Sequence, residues 1–302
     1  MPAEQEKLLR DRGEWRTLLV AGLVYAGTAA TVWGHDRLGP WLTAALLAWF
    51  GAWHLSVQHE LLHGHPFRVQ RLNDLLASIP LTLWIPYGLY KPDHLEHHRS
   101  DLTIPGLDNE SYYVAPERWA SMGSMSRAYH WANRTLLFRI FINTIWSTFQ
   151  YHATKLRLAA LGHRPTIKAY VAHLVTLVPV VWLVVSVASM PLWQYVLGAT
   201  YGGRVLNSIR SFPEHRYRPP GGLRTAMIEA GPVMSLLMLN NNLHVLHHDE
   251  PWHPWYTYKH VAVRLDAYER AAAAGLRYRG GYWEVLRRYA VRPIDPPVQP
   301  TS

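Results

Sequence analysis

An all-α integral membrane protein is the fold class this sequence predicts, and three observations predict it. Residues 169–203 contain no Asp, Glu, Lys or Arg, about twice the ~20 residues that one crossing needs. Two further apolar runs, Thr17 to Trp33 and Trp41 to Gln58, are separated only by "GHDRLGP". Histidines, finally, gather beyond the ends of these runs instead of scattering through the chain.

The first two runs read as spans, about 15–33 and 41–58, paired through a short outer loop. The uncharged interval is broken at Pro191 in "SMPLW". It therefore reads as two more spans, about 169–190 and 192–209, joined by a tight turn, for about four in all. Leu72 to Tyr90 is apolar but interrupted by Pro80 and Pro86, which predicts a segment that dips into the membrane or lies on it. Trp33, Trp41 and Trp193 stand near run ends, where indoles suit the interface. The mean hydropathy of −0.10 hides all this because it averages the runs with a charged remainder.

Basic residues set the orientation. Lys7, Arg10, Arg12 and Arg16 flank the first span and many more lie between Arg99 and Lys168, whereas the outer loops offer only Arg37. Both termini and the middle segment are therefore expected on the cytoplasmic side. The formal charge of +9 follows from the same bias, and no basic run with interleaved aromatics suggests a nucleic-acid groove. The N-terminus lacks the h-region and cleavage site of a signal peptide and is expected to be retained. One domain, 1–302, is expected, with a cytoplasmic histidine-rich helical cap built from 59–165 and 210–290. The Pro-rich stretch 291–302 reads as a disordered tail. The chain has no cysteine, which excludes disulfides, thiolate-held zinc, Fe–S clusters and Cys-ligated haem within it.

Eighteen histidines are present, and they cluster. His59 and His63 form His-x3-His in "HELLH", with His65 just beyond; His94, His97 and His98 lie in "HLEHH", and His244, His247 and His248 in "HVLHH". Residues three and four apart share a helix face, so each cluster can aim its imidazoles at one place. That many imidazoles exceed what one ion can take, so two ions are expected. Imidazole suits iron, zinc, copper and nickel, and a pair of irons with open positions is a device for activating oxygen, chemistry closed to redox-inert zinc. The neighbouring carboxylates Glu60, Asp93, Glu96, Asp101, Glu214, Asp249 and Glu250 are candidates to accept the second ring N–H of a ligating histidine. Glu60, His65, Asp93 and Asp249 are the preferred supporting residues.

The three boxes, in this order and spacing, resemble those of the membrane fatty-acid desaturase and hydroxylase superfamily, and the resemblance covers most of the chain. It implies a non-haem diiron enzyme that oxidises an unactivated C–H bond of an acyl or alkyl chain with O2. Desaturation of a fatty acid is favoured, and hydroxylation of a hydrocarbon or carotenoid-like substrate is the alternative. It also implies a further ligand between the last span and the third box, which "RSFPEHR" supplies as His215, although Ser211 stands where the alkane-hydroxylase pattern has Asn. The stretches "NNLHVLHHDEPWHPWY" and "LTIPGLDNESYY" look most like a bacterial subgroup, served by small [2Fe-2S] ferredoxins and their reductases. A bacterial inner-membrane location with a cytoplasmic active site follows from that likeness. The sequence offers no haem or flavin domain, so electrons must come from an external donor. Arg277, Arg279, Arg287 and Arg288 could form its docking face or rest on anionic lipid.

Two other classes read the same residues differently. "HELLH" is also the zinc-protease pattern, but Gly64 follows His63 at once and the extended ligand pattern is missing. A metal transporter needs ligands in mid-span, where only His54 and His173 lie. Spans two and four, with the dipping segment, are expected to form an apolar tunnel into the boxes, with Trp84, Tyr87 and Tyr90 as candidate lining.

Overall fold

The computed structural model describes residues 14–219 and 221–299. Lys7, Arg10 and Arg12, on which the orientation argument partly rests, lie outside them. The described chain is helical apart from one short two-stranded parallel sheet.

Helix α1 spans Trp15–Trp33 and α2 spans His35–Leu62, kinked where Gly39 takes a left-handed conformation ahead of Pro40. Pro40 cannot donate to the preceding turn and Gly39 accepts φ of 74° without a Cβ clash, so the apolar helix effectively starts there. Helices α3 (Gln70–Ala77) and α4 (Tyr87–His97) are separated by a non-helical stretch holding Pro80 and Pro86. Leu72 to Tyr90 is thus no single helix. Two short helices, α5 (Pro116–Ser121) and α6 (Ser124–Ala132), lead into a wide turn of helix at Phe138–Asn143 that continues as α7 (Thr144–Ala160). Helix α8 (Arg164–Trp182) runs on through Val187. After Pro191, α9 (Leu192–Tyr195), a wide-turn segment Val196–Gly202 and α10 (Gly203–Ser211) follow without a break.

Helices therefore occupy all four expected span positions, but two of them alone, Trp15–Trp33 and Arg164–Val187, are long and apolar enough to cross a membrane by composition. Leu18, Leu19 and Leu23 on the first and Val171, Val175 and Val178 on the second point outward. Helix α7, which hydropathy did not flag, also exposes Ile142, Ile145 and Phe149 around its start; its charged residues dilute the apolar signal.

Helix α2 and the α9–α10 rod pack with their backbones in close contact. A Cβ on Gly51 would stand 2.3 Å from the Ala199 carbonyl oxygen, and one on Gly203 would stand 2.8 Å from the Gly51 backbone. Small residues let two helices approach until their backbones touch. This contact sets where the C-terminal ends of both helices arrive, and the histidines begin there.

The remainder folds beneath these ends. Helices α11 (Pro232–Leu237), α12 (His244–Asp249), α13 (Tyr258–Arg264), α14 (Ala267–Ala273) and α15 (Gly281–Tyr289) pack around β1 (Met227–Ile228) and β2 (Arg277–Tyr278). The core here includes Met227, Leu246, Tyr258 and Ala271, all buried.

The expected disordered tail is corrected as far as residue 299. Ile294 is buried, Asp295 accepts from Arg134, Arg216 and Tyr113, and Val114 bridges Val298. An acidic residue among the prolines meets two arginines, which composition alone does not reveal. Residues 300–302 lie outside the described chain.

Candidate metal centre

The first box sits on the last turn of α2, with His63 capping it. The second occupies the last turn of α4, with His98 as its cap. The third is α12 itself, starting at His244. His215 arrives by a different route. The segment around β1 is bridged on one side to His215 through Thr225 and on the other to Leu243 through Met227. Ala226 donates to the Glu214 carbonyl at 2.9 Å and accepts from the His244 amide at 3.1 Å. Backbone pairing thus clamps His215 beside His244.

All nine candidate ligands meet in one place as two nests. His59, His63, His94 and His247 offer ring nitrogens within 4.8 Å of one another, as do His97, His215 and His248. His98 joins the first nest, its Nε2 lying 3.0 Å from that of His94 and 2.8 Å from that of His247. His244 joins the second, with its Nε2 at 2.9 Å from that of His215. The nests adjoin, since the His98 and His248 rings stack at 4.3 Å.

The far ring nitrogens fix how these imidazoles point. His97 Nδ1 donates to Asp108 at 2.7 Å, and His94 Nδ1 lies 3.3 Å from Glu110. His244 Nδ1 donates to Asn241 Oδ1 at 3.0 Å. Asp108 is itself held, accepting from the amides of Thr103 at 2.7 Å and Glu110 at 2.9 Å. A ring whose Nδ1–H is donated outward presents a bare Nε2 lone pair inward. Yet His97 Nε2 faces His215 Nε2 at 3.1 Å and His63 Nε2 faces His94 Nε2 at 3.3 Å. Lone pairs at such separations repel unless a cation lies between them. Two nitrogens each about 2 Å from one ion stand about 3 Å apart, so the donor set fits metal.

Electrostatics point the same way. Burial, followed by the neighbouring His215 and His98, holds His248 far below the ordinary imidazole range. Burial and the adjacent His97 push His215 down to about 3. Both are neutral, as ligands must be. His97 is the exception: burial lowers it, but Glu110 and Asp108 outweigh burial and raise it. Burial pushes the Asp108 carboxyl up, but its bonds from His97 and two amides bring it below the usual range.

Of the carboxylates expected from sequence, Glu214 lies 3.4 Å from His244 Nδ1, whereas the four preferred supporting residues do not hold the rings. Glu60 accepts the Trp255 amide at 3.3 Å, His65 pairs with Glu14 at 2.7 Å, Asp93 pairs with Lys155 at 2.7 Å, and Asp249 pairs with Arg270 at 2.8 Å. Glu60, Asp93 and Asp249 thus each bond a cation or an amide, and His65 turns its Nδ1 to Glu14. Asp108, Glu110 and Asn241 take that role instead. The first two sit in the loop "LDNE", which folds back beneath α4; proximity in sequence could not show it.

A cavity of about 480 Å³ opens on both nests, with His94, His97, His215 and His244 in its wall. It lies where the tunnel was expected, against Leu55 of α2, Trp84 and Tyr90, but α7 and α10 line it with polar and charged groups. Tyr87 does not reach it; its hydroxyl donates to Asp74 at 3.0 Å. His54, buried in α2, bonds the Ile79 carbonyl at 3.1 Å and packs as a structural residue.

The family model for fatty acid desaturase matches residues 37–282, a stretch that holds every histidine of both nests. No curated protein matches the chain significantly. The chain belongs to the fatty acid desaturase family, a membrane-associated family of oxidoreductases of the desaturase and hydroxylase type.

Proposed function

We propose that this member of the fatty acid desaturase family uses O2 to oxidise an unactivated C–H bond in an acyl or alkyl chain, with desaturation as the outcome, at two iron ions held by its nine histidines. The observation that carries the reading is the pair of adjoining nests, whose inward nitrogens face one another at 2.8 to 3.3 Å. His59, His63, His94, His98 and His247 would hold one ion, and His97, His215, His244 and His248 the other. Bound iron supplies the redox change that reduces O2 and removes hydrogen from an unactivated carbon.

The chain's own residues hold and shield. Asp108 and Asn241 keep the Nδ1 protons of His97 and His244, so that each Nε2 stays a ligand and neither ring can rotate. Most of the nine rings are buried, which excludes water from the reactive side. The cavity wall formed by His94, His97, His215 and His244 is where a substrate carbon would meet both ions. Desaturation needs two electrons from an external donor besides the two from the substrate, and reduces O2 to two waters. A [2Fe-2S] ferredoxin is the proposed donor, docking on the basic C-terminal face around the exposed residues Arg279 and Arg287. Four spans are proposed, with both termini and the nests on the cytoplasmic side of a bacterial inner membrane. This rests on Trp15–Trp33 and Arg164–Val187 and on the charge bias of the loops.

The test is metal analysis with Mössbauer spectroscopy on detergent-purified protein grown in iron-57 medium. Two exchange-coupled irons per chain are expected. One zinc and no iron, in protein purified without metal loss, would overturn the diiron reading. Product analysis then separates an alkene from an alcohol.

A further inference from the structure

The cavity beside the nests is charged, and its charges do not all pair. Three cations line it, Lys155, Arg204 and Arg210, together with three carboxylates, Asp93, Glu110 and Glu214. Lys155 pairs with Asp93 at 2.7 Å and Arg210 with Glu214 at 3.1 Å, while Glu110 faces His94 at 3.3 Å. Arg204 has no carboxylate within ion-pair distance and no hydrogen-bond partner among the described residues. Its guanidinium lies over the Trp84 ring at 4.5 Å, so an aromatic covers one face, and its Nε–H is buried without an acceptor. Asn207, one turn along α10, lines the same wall without a hydrogen bond among the described residues. A mostly buried guanidinium whose N–H groups find no acceptor is costly, and a guanidinium edge is matched by a planar carboxylate that accepts two parallel bonds.

We propose that the substrate enters as a free carboxylate, held by the open edge of Arg204 and by the Asn207 amide, with its hydrocarbon part passing Leu55, Trp84 and Ile85 toward the histidines. The three cations and three carboxylates of the cavity balance in formal charge, so it is the unbonded guanidinium, and not a surplus of charge, that calls for a carboxylate. An uncharged ester, an acyl glycerolipid or a plain hydrocarbon would leave Arg204 unpaired in the occupied cavity. The inference rests on the oxidase reading above but names what that reading leaves open, the form in which the acyl chain is presented.

The test is calorimetric titration of the protein in lipid nanodiscs with decanoate, methyl decanoate and decane, each corrected against empty nanodiscs. It is run on the protein as purified and after chelator treatment. Decanoate is expected to bind about tenfold or more tightly than its ester, as charge-assisted bonds to a buried cation predict. The preference should vanish in Arg204→Leu and fall partly in Asn207→Leu and in Arg204→Lys, which keeps the charge but loses the second parallel bond. It should also persist without metal, which separates Arg204 from carboxylate ligation to iron. Equal affinity for acid and ester in the unaltered protein overturns the proposal, and so does a preference that survives Arg204→Leu or disappears on metal removal. If Arg204→Leu does not fold, Arg204→Gln carries the same comparison. A protein that prefers the acid yet never holds iron would refute the diiron reading and leave this one standing.

Discussion

Replacing Asp108 by Asn tests whether the carboxylate behind His97 governs the second nest. In the native site Oδ1 accepts from His97 Nδ1 at 2.7 Å and from the Glu110 amide at 2.9 Å, while Oδ2 accepts from the Thr103 amide at 2.7 Å. Asn has one acceptor where Asp has two. If its carbonyl faces His97, its NH2 meets the Thr103 amide, donor against donor, and a buried N–H loses its partner at about 1 to 3 kcal/mol. If the amide is flipped, its NH2 faces His97, which must move its proton to Nε2 and can no longer ligate. Either way His97 loses a charged acceptor, and loss of such a partner lowers metal affinity about 10- to 100-fold, or about 1.4 to 2.8 kcal/mol. The first nest, which Asp108 does not touch, should be spared. Chelator competition followed by elemental analysis is the assay, expected to show two metals per chain in the unaltered protein and close to one in Asp108→Asn at the same chelator concentration. Two metals retained with unaltered affinity would refute the argument. Loss of both metals together, with the fold intact by circular dichroism, would refute the independence of the nests.

Three further outcomes follow from the same structure. Alanine at His97, or at any other histidine of the second or third box, should abolish turnover and reduce bound metal; full activity in His97→Ala would remove it from the ligand set. Gly203→Leu should lower the thermal midpoint markedly or prevent accumulation, because even its Cβ would stand 2.8 Å from the Gly51 backbone, and a thermal midpoint equal to the parent's would show that the two helices can separate. Asp295→Ala should release the tail by stranding Arg134, which is 3% exposed, at a cost of about 3 kcal/mol; limited proteolysis would then cut near residue 295 in the variant but not in the parent.

The candidate ligands were largely legible because the relevant physics is local. Spacings of three and four put imidazoles on one helix face, and that holds whatever surrounds the helix. His215 was different: no helical spacing connects it to the boxes, and it was found only through likeness to a family. Its placement depends on the bridges from Thr225 and Met227, strand contacts of two residues or fewer that no periodicity announces. Asp108, Glu110 and Asn241 were missed for a related reason. A carboxylate holds a ring only when a loop carries it back, and the acids nearest the boxes in sequence, Asp93 and Asp249, found lysine and arginine partners instead.

The same distinction explains Arg204. In the sequence it ends an uncharged run and falls within the last turns of the expected span 192–209. In the fold α10 continues past it to Ser211, which turns it inward over Trp84 and makes the expected apolar tunnel a charged one. Hydropathy averages a helix around its circumference, whereas a cavity samples one side. The outward side of this segment is apolar at Leu192, Trp193 and Leu197, and its inward side carries Arg204, Asn207 and Ser211 at intervals of three and four, so one stretch of chain can face lipid and bind an anion at once.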